Sequence, residues 1–169
     1  MKDVTPFLWF DDQAEEAANF YVSAFSKLEG KAGEDTRIVD VVPYGESGAK
    51  AAGRPAGSVM TVTFTIGGRE MVALNGGPEF HFTEAISLMV HCDTQDEVDY
   101  LWAALSEGGE EGPCGWLKDR YGLSWQIVPA QLMEMYRDPD PAKRERVMKA
   151  MLQMGKLELP TLQEAYEAS

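Results

Sequence analysis

Residues 6–21, PFLWFDDQAEEAANFY, and residues 86–102, ISLMVHCDTQDEVDYLW, decide the fold because the second stretch repeats the pattern of the first. Each begins with an apolar run of strand length, passes through acidic residues, and continues with apolar side chains at helical spacing. When the two stretches are superposed, Phe20-Tyr21 fall on Leu101-Trp102. A repeat of about eighty residues predicts two related modules.

The first round opens with a short buried strand over residues 4–10, in which Pro6 indicates an edge position because proline lacks a ladder donor. A helix follows, and Asp12 and Glu15 have the spacing of a capping box. Its apolar face is formed at i, i+3, i+4, i+7 and i+8 by Ala17, Phe20, Tyr21, Ala24 and Phe25.

The rest of the first round predicts a strand at 37–43 and a hairpin. Residues 45–57 are small, rich in glycine and without periodicity, so we expect a mobile loop there. Alternation in SVMTVTFTI, followed by Gly67-Gly68 and REMVALN, is typical of two strands joined by a tight turn.

The second round predicts a strand at 86–92 and a helix that begins with Thr94 and Glu97 as a capping box. A turn-rich stretch at 110–122 then leads to a last strand at 124–129.

The C-terminal segment differs from both rounds. Asp140-Pro141 is typical of a helix start with proline at the first position. An apolar stripe follows, and we expect it to cover the sheet or a dimer partner; it contains Val147, Met148, Met151 and Leu152.

Composition excludes several classes of function. The 169 residues carry a formal net charge of −13, and such an acidic chain repels nucleic acids and anionic membranes. No signal peptide and no apolar run of membrane-spanning length is evident, so we expect a cytoplasmic protein. In that compartment Cys92 and Cys114 are expected to be free thiols.

The chain resembles the PhnB-like branch of the vicinal oxygen chelate (glyoxalase and bleomycin-resistance) superfamily. Five segments show the resemblance: PFLWFDDQAEEAANFY, MVALNGGPEF, ISLMVHCDTQDEVDYLW, GPCGWLKDRYGLSWQIVP and KAMLQMGKLELPTLQEAY. Members of this branch often carry the label 3-demethylubiquinone-9 3-methyltransferase. The resemblance implies an α+β fold with two βαβββ modules of glyoxalase or dihydroxybiphenyl dioxygenase type, and a homodimer. We place the modules at 1–78 and 79–130, followed by a C-terminal helical extension at 131–169.

In metal-using relatives, four ligands come from the first and last strands of the two modules. The resemblance places these positions on Pro6, Ala73, Ser87 and Gln126 of this chain. Only Gln126 has a good donor for a divalent ion, so we expect no metal and no other cofactor. His91 is a rival ligand, although a lone strand histidine is more often a satisfied polar residue.

Strand alternation predicts which side chains enter the cupped pocket that the resemblance implies. On the ligand face we expect Leu8, Phe10, Met71, Ala73 and Asn75 from the first module, and Ser87, Met89, His91, Ser124 and Gln126 from the second. Trp9, Leu88, Val90, Trp125 and Ile127 should pack under the helices. The alternative is a filled core without a cavity. Our candidate ligand-binding residues are Phe10, Asn75, Ser87, Met89, His91, Cys114, Trp116, Ser124 and Gln126.

Within residues 114–120, Cys114 and Trp116 each permit two interpretations. Cys114 is either a nucleophile or a structural thiol, and we favour the latter because no group that would lower its pKa is evident. Trp116 either stacks on a ligand or packs in the core. Lys118, Asp119 and Arg120 are expected to form a solvated turn.

Two functions remain from the sequence. The first is a metal-free protein that binds a small, partly apolar molecule. The second is a superfamily enzyme acting on a vicinal-oxygen or aromatic substrate, with Gln126 and His91 as its polar groups. No glycine-rich G-x-G-x-x-G turn follows a strand, so the methyltransferase label finds no support in the motifs.

Overall fold

A computed structural model describes residues 4–168, and the chain divides into two compact units, the first ending at His81 and the second beginning at Phe82. Unit 1 contains a four-stranded sheet in the order β1-β4-β3-β2. β1 runs parallel to β4, and the other pairs are antiparallel. Its elements are β1 (Phe7–Phe10), α1 (Ala14–Phe25), α2 (Lys31–Glu34), β2 (Arg37–Pro43), α3 (Glu46–Ala52), β3 (Val59–Ile66) and β4 (Arg69–Asn75).

Unit 2 repeats this topology with the strand order β5-β8-β7-β6, in which β5 is parallel to β8. Each unit is therefore a βαβββ module whose first strand lies at one edge beside the last strand. Three further helices follow the second module. The elements are β5 (Leu88–Cys92), α4 (Gln95–Ser106), β6 (Glu110–Glu111), β7 (Trp116–Lys118), β8 (Ser124–Pro129), α5 (Ala130–Met135), α6 (Pro141–Met151) and α7 (Leu159–Glu167).

The duplicated modules and the C-terminal helices confirm the predicted α+β fold. Pro6 precedes an edge strand, as its missing donor predicted, and its carbonyl oxygen accepts from the Val72 amide at 3.0 Å. The predicted hairpin is present as β3 and β4, with Gly67 and Gly68 both at positive φ in the turn. The three-part division of the chain at 78/79 and 130/131 stays a prediction.

The two helix starts differ. At α4 the predicted box forms, since the Glu97 amide donates to Thr94 Oγ1 at 3.2 Å and the Glu97 carboxylate accepts from the Asp93 amide at 2.6 Å. At α1 the predicted cap by Asp12 is wrong, because the N-cap is Gln13 and makes no side-chain cap. The Ala14 amide instead donates to Asn75 Oδ1 from β4 at 2.8 Å.

The segment at 45–57 is not wholly a loop, because α3 lies within it. Ala49 of α3 is buried, and the preceding Tyr44 donates its hydroxyl to the Asn75 carbonyl at 2.6 Å. Small residues gave no apolar periodicity, but alanine has the best helix propensity and needs little space. Gly53 ends the helix in the left-handed conformation.

The C-terminal helices form a small core of their own. Asp140 caps α6 by accepting from the Ala142 amide at 2.8 Å, with proline in the first turn as predicted. The apolar stripe is only partly covered, since Val147 is buried whereas Leu152 is 57% exposed. The buried members of this core are Val128, Leu132, Met135, Val147, Leu157, Leu159 and Leu162.

Within residues 4–168, no helix is both long enough and apolar enough to cross a membrane.

Candidate functional site

The face of the unit 1 sheet that we predicted to bind a ligand packs under α1 instead. Tyr21 of α1 stacks on Phe64 of β3, with ring centroids 5.9 Å apart. The β-sheet register places Phe64 beside Met71, and it aligns Leu8 with Ala73 and Phe10 with Asn75. These side chains are all buried, so the prediction is wrong for Phe10 and Asn75, which belong to the helix-facing core.

Trp9, predicted to lie under the helix, is on the opposite face of β1. Its ring covers Gly76 so closely that a Cβ there would lie 2.2 Å from Trp9 Cε2. Its indole donates to the Gly77 carbonyl at 2.8 Å, and its ring meets Phe80 edge-on at 5.0 Å. The chain after β4 therefore packs over the face of unit 1 that α1 leaves open.

In unit 2 the face prediction is confirmed. Trp125 and Ile127 of β8 are buried on the side where α4 packs. The opposite side, which we call the open face, carries alternate residues of β5, β7 and β8. Register aligns Met89 with Gln126, Gln126 with Trp116, and Ser124 with Lys118. Six predicted site residues share this face: Ser87, Met89, His91, Trp116, Ser124 and Gln126.

The two candidate ligand positions on the open face contact each other. Gln126 donates its amide nitrogen Nε2 to the Ser87 hydroxyl at 2.8 Å. His91 is exposed one alternation beyond Met89, where its register partner is Val128. Both groups can recognise a hydrogen-bonding ligand, but the serine hydroxyl is a weak donor to a divalent transition ion.

A cavity of about 470 Å³ opens at the β7 side of this face. Its walls come from the β6–β7 hairpin, from β8 and from the segment before β5. The lining residues are Glu84, Glu110, Glu111, Gly112, Pro113, Trp116, Leu117, Lys118 and Ser124. Pockets that hold small molecules are typically of this size and combine apolar walls with a few polar groups.

Ser124 is the polar group in the wall of this cavity that has no partner in the structure. The residue is 1% exposed, and its hydroxyl has no hydrogen-bond partner. A buried hydroxyl without a partner costs about 1–3 kcal/mol. The cavity thus holds an unused hydrogen-bonding group next to the Trp116 ring.

The charged groups of the cavity are arranged around Lys118. Its ammonium lies 2.5 Å from Glu84 Oε1. This hydrogen bond lowers the pKa of Glu84 and raises the pKa of Lys118, to which the charge of Glu110 also contributes. Both groups are therefore ionised at neutral pH, and the lysine charge is already compensated within the cavity wall.

Asp119 was predicted to lie in a solvated turn, and that prediction is wrong. The residue is 2% exposed. Its carboxylate accepts from the backbone amides of Tyr121 at 2.9 Å and Leu123 at 3.1 Å, and from the Trp125 indole at 2.8 Å. Asp119 thereby fixes the turn between β7 and β8, the two strands that carry Trp116 and Ser124.

Cys114 lies in the turn before β7 and not on the open face. It adopts a positive φ of 57°, and its backbone amide donates to the Met154 carbonyl at 2.7 Å. The turn is thus bound to the C-terminal segment, and Pro113 of the same turn lines the cavity. This position supports a structural role for Cys114.

The two free cysteines should differ in reactivity. Burial, together with the charges of Glu97 and Asp93, raises the pKa of Cys92 to about 12. Because the thiolate is the reactive form, we expect Ellman's reagent at pH 8 to modify Cys92 at least about tenfold more slowly than Cys114. The Cys114→Ala variant should therefore show little labelling until it is unfolded. Rapid labelling of that native variant would contradict the burial of Cys92.

Comparison with known proteins agrees with this geometry. A model of the family 3-demethylubiquinone-9 3-methyltransferase matches residues 2–128. The PhnB protein from Bacillus cereus is 34% identical, with a TM-score of 0.62, and the match covers 76% of this chain and 100% of that one. No curated protein matched the chain.

More distant structures share the fold. Protein PA1353 from Pseudomonas aeruginosa is 19% identical with a TM-score of 0.59, and the match covers 76% of this chain and 98% of that chain. The fosfomycin resistance protein FosX from Listeria monocytogenes is 13% identical with a TM-score of 0.51, covering 79% and 97% respectively.

Paired βαβββ modules with this strand order define a glyoxalase-type fold, which the FosX structure shares. Within that class, the chain belongs to the PhnB-like family named after 3-demethylubiquinone-9 3-methyltransferase. The matched region ends at Val128, so the C-terminal helices lie beyond it.

Proposed function

We propose that this protein binds a small, partly apolar molecule in the cavity of unit 2 and does so without a metal ion. The observation that carries the proposal is the buried, unpartnered hydroxyl of Ser124 in a cavity walled by Trp116. A bound molecule that hydrogen-bonds to this hydroxyl would relieve the cost of its burial. The Trp116 ring offers a flat apolar surface for the rest of that molecule.

The metal that the fold family implies does not fit the residues of this chain. In unit 2 the two ligand positions are a serine and a glutamine that bind each other. In unit 1 the predicted position Ala73 faces α1, and its β4 neighbours on the other side of the sheet, Val72 and Leu74, have no side-chain donor atom either. Within the described residues 4–168, no three His, Cys, Asp or Glu side chains are grouped so as to hold an ion.

Calorimetric titration of chelator-dialysed protein with 2-naphthylmethanol tests this function. We expect saturable binding that is unchanged by Ni²⁺, Zn²⁺, Mn²⁺ or Fe²⁺. Trp116→Ala should weaken binding by about tenfold, because stacking and apolar burial on an indole contribute on the order of 1–2 kcal/mol. Leu152→Ala is the control, since that exposed side chain belongs to the C-cap residue of α6 and does not line the cavity.

Three results would overturn the proposal. The first is no binding to the wild-type protein, and the second is binding that appears only after a metal ion is restored. The third is equal affinity in Trp116→Ala, with melting temperatures showing that both variants are folded. Net conversion of the bound probe would favour the superfamily enzyme instead.

We also propose that the chain forms a homodimer. Several large apolar side chains are exposed in the single chain, among them Phe7 at 59% and Val39, Val41 and Val42 on the edge strand β2. Exposed apolar clusters and open strand edges favour association with another copy.

Light scattering at micromolar concentration should therefore report about twice the 18.7 kDa chain mass. Phe7→Lys should shift the protein toward monomer, because a charge would replace an apolar contact. Phe7→Tyr retains the ring and serves as the matched control. A wild-type monomer would contradict the dimer. A Phe7→Lys variant that stays dimeric would show that Phe7 is not part of the interface.

A further inference from the structure

The cavity of unit 2 has an excess of negative charge. The carboxylates of Glu84 and Glu110 lie against the single ammonium of Lys118, whereas register pairs the third glutamate of the lining, Glu111, with Leu117 on the helix-facing side. Lys118 is bound by Glu84, and register places Glu110 directly opposite Lys118 on the neighbouring strand. A ligand therefore meets carboxylates whose charge the lysine only partly compensates.

The polar groups of the cavity also differ in depth. The side chain of Glu84 is 63% exposed, so it belongs to the mouth, whereas Ser124 is buried in the wall. Trp116 lies on the same face as Ser124 because its register partner, Gln126, is two residues after Ser124 on β8. A ligand in this cavity would contact an indole ring, a buried hydroxyl and an acidic mouth together.

We propose that the cavity selects a small organic cation, an amine joined to a flat apolar body. The inference rests on the proposed function and adds the charge of the ligand to it. The protonated amine lies beside Glu84 and Glu110, and the apolar body packs on Trp116. The Ser124 hydroxyl accepts one N–H of the amine.

Electrostatics favour this class over an anion. A carboxylate or phosphonate would bring a second negative charge beside groups of the same sign, and like charges at short range cost free energy. An indole face attracts a cation, which adds to the preference. An anion could pair with Lys118 only by displacing Glu84, whose oxygen already lies 2.5 Å from the ammonium.

The experiment compares three probes that share one ring system and differ in charge: 2-naphthylmethylamine, 2-naphthylmethanol and 2-naphthoate. At about 20 mM salt, calorimetry should show the highest affinity for the amine and the lowest for the carboxylate, with a difference of about tenfold or more between the two dissociation constants. The preference should shrink at about 0.5 M salt, because ions screen exposed charges.

Two variants test the named groups. Glu110→Gln should reduce the preference for the amine over the carboxylate by about threefold or more. Glu107→Gln is the control, since it makes the same charge change on a residue that binds Arg120 outside the cavity lining. Ser124→Ala should weaken the binding of the amine and of the alcohol by severalfold. It should not lower the melting temperature, because it removes a hydroxyl that has no partner in the protein.

The outcomes separate the two proposals. If none of the three probes binds, the proposed function fails. If all three bind equally well, or the carboxylate binds best, the selection of a cation fails while the binding function stands. A preference that survives Glu110→Gln and falls in Glu107→Gln would place the selecting charge outside this cavity and overturn the inference.

Discussion

Replacement of Asp119 by alanine is expected to lower the free energy of unfolding by about 4 kcal/mol. The carboxylate is buried and accepts three hydrogen bonds, two from backbone amides and one from the Trp125 indole. Its removal leaves buried donors unpaired, of which the indole of Trp125 is the most enclosed. Urea unfolding followed by circular dichroism measures the change.

Two further variants make the Asp119 result specific. Asp119→Asn keeps an oxygen for the turn and loses the charge, so it should lower the free energy of unfolding by about half as much as Asp119→Ala. Asp12→Ala removes an exposed carboxylate that does not cap α1, and it should change stability by less than about 0.5 kcal/mol. Equal, small effects of Asp119→Ala and Asp12→Ala would show that Asp119 lies in a solvated turn after all.

Gly115→Ala is expected to cost about 3 kcal/mol. The glycine has a φ of +83°, and a Cβ there would lie 2.9 Å from the Ile127 carbonyl oxygen and 3.0 Å from Leu157 Cδ1. The variant therefore combines backbone strain with a clash between the turn, β8 and the C-terminal segment. Urea unfolding again gives the change in free energy.

Gly122→Ala is the matched control for Gly115→Ala. Gly122 has the same φ of +83°, but no atom lies within 4 Å of its added Cβ. It should show the strain alone, about 1 kcal/mol. If the two variants lose the same stability, the contact of the turn with Ile127 and Leu157 is not as close as described.

The fold could be predicted from sequence because both modules repeat the same order of strand, helix and hairpin. The side of the sheet on which each residue of β1 lies could not be predicted, because superposing the two helices shifted the alternation along β1 by one residue. Three residues connect β1 to α1, whereas two connect β5 to α4. Side chains alternate along a strand, so one extra residue places Phe10 under the helix and Trp9 on the open side.

Other features were missed because their partners are distant in sequence. The helix cap from Asn75 reaches α1 across 61 residues, and no local motif indicates it. β6 and β7 have only two and three residues, and register with their neighbours defines them more than propensity does. Charge alone assigned Asp119 to the surface, although a nearby indole donor and two turn amides bury it.

Strand alternation predicted the faces of β5, β7 and β8 correctly in unit 2, whereas the ligand-binding role of the candidate residues stays a prediction. Six of those residues share the open face of unit 2. The acidic mouth of the cavity was not predicted, because Glu84 and Glu110 come from separate turn-rich segments. A carboxylate in a turn is usually solvated, so only the three-dimensional arrangement indicates a shared role.

A crystal structure of chelator-dialysed protein soaked with 2-naphthylmethylamine would show whether the cavity of unit 2 binds an amine without a metal ion. We expect the naphthyl ring against Trp116, the amine nitrogen at about 2.7–3.2 Å from Ser124 Oγ, and no ion on the open face. A metal ion coordinated by Gln126, or a cavity that stays without the probe at saturating concentration, would contradict metal-free binding at this site.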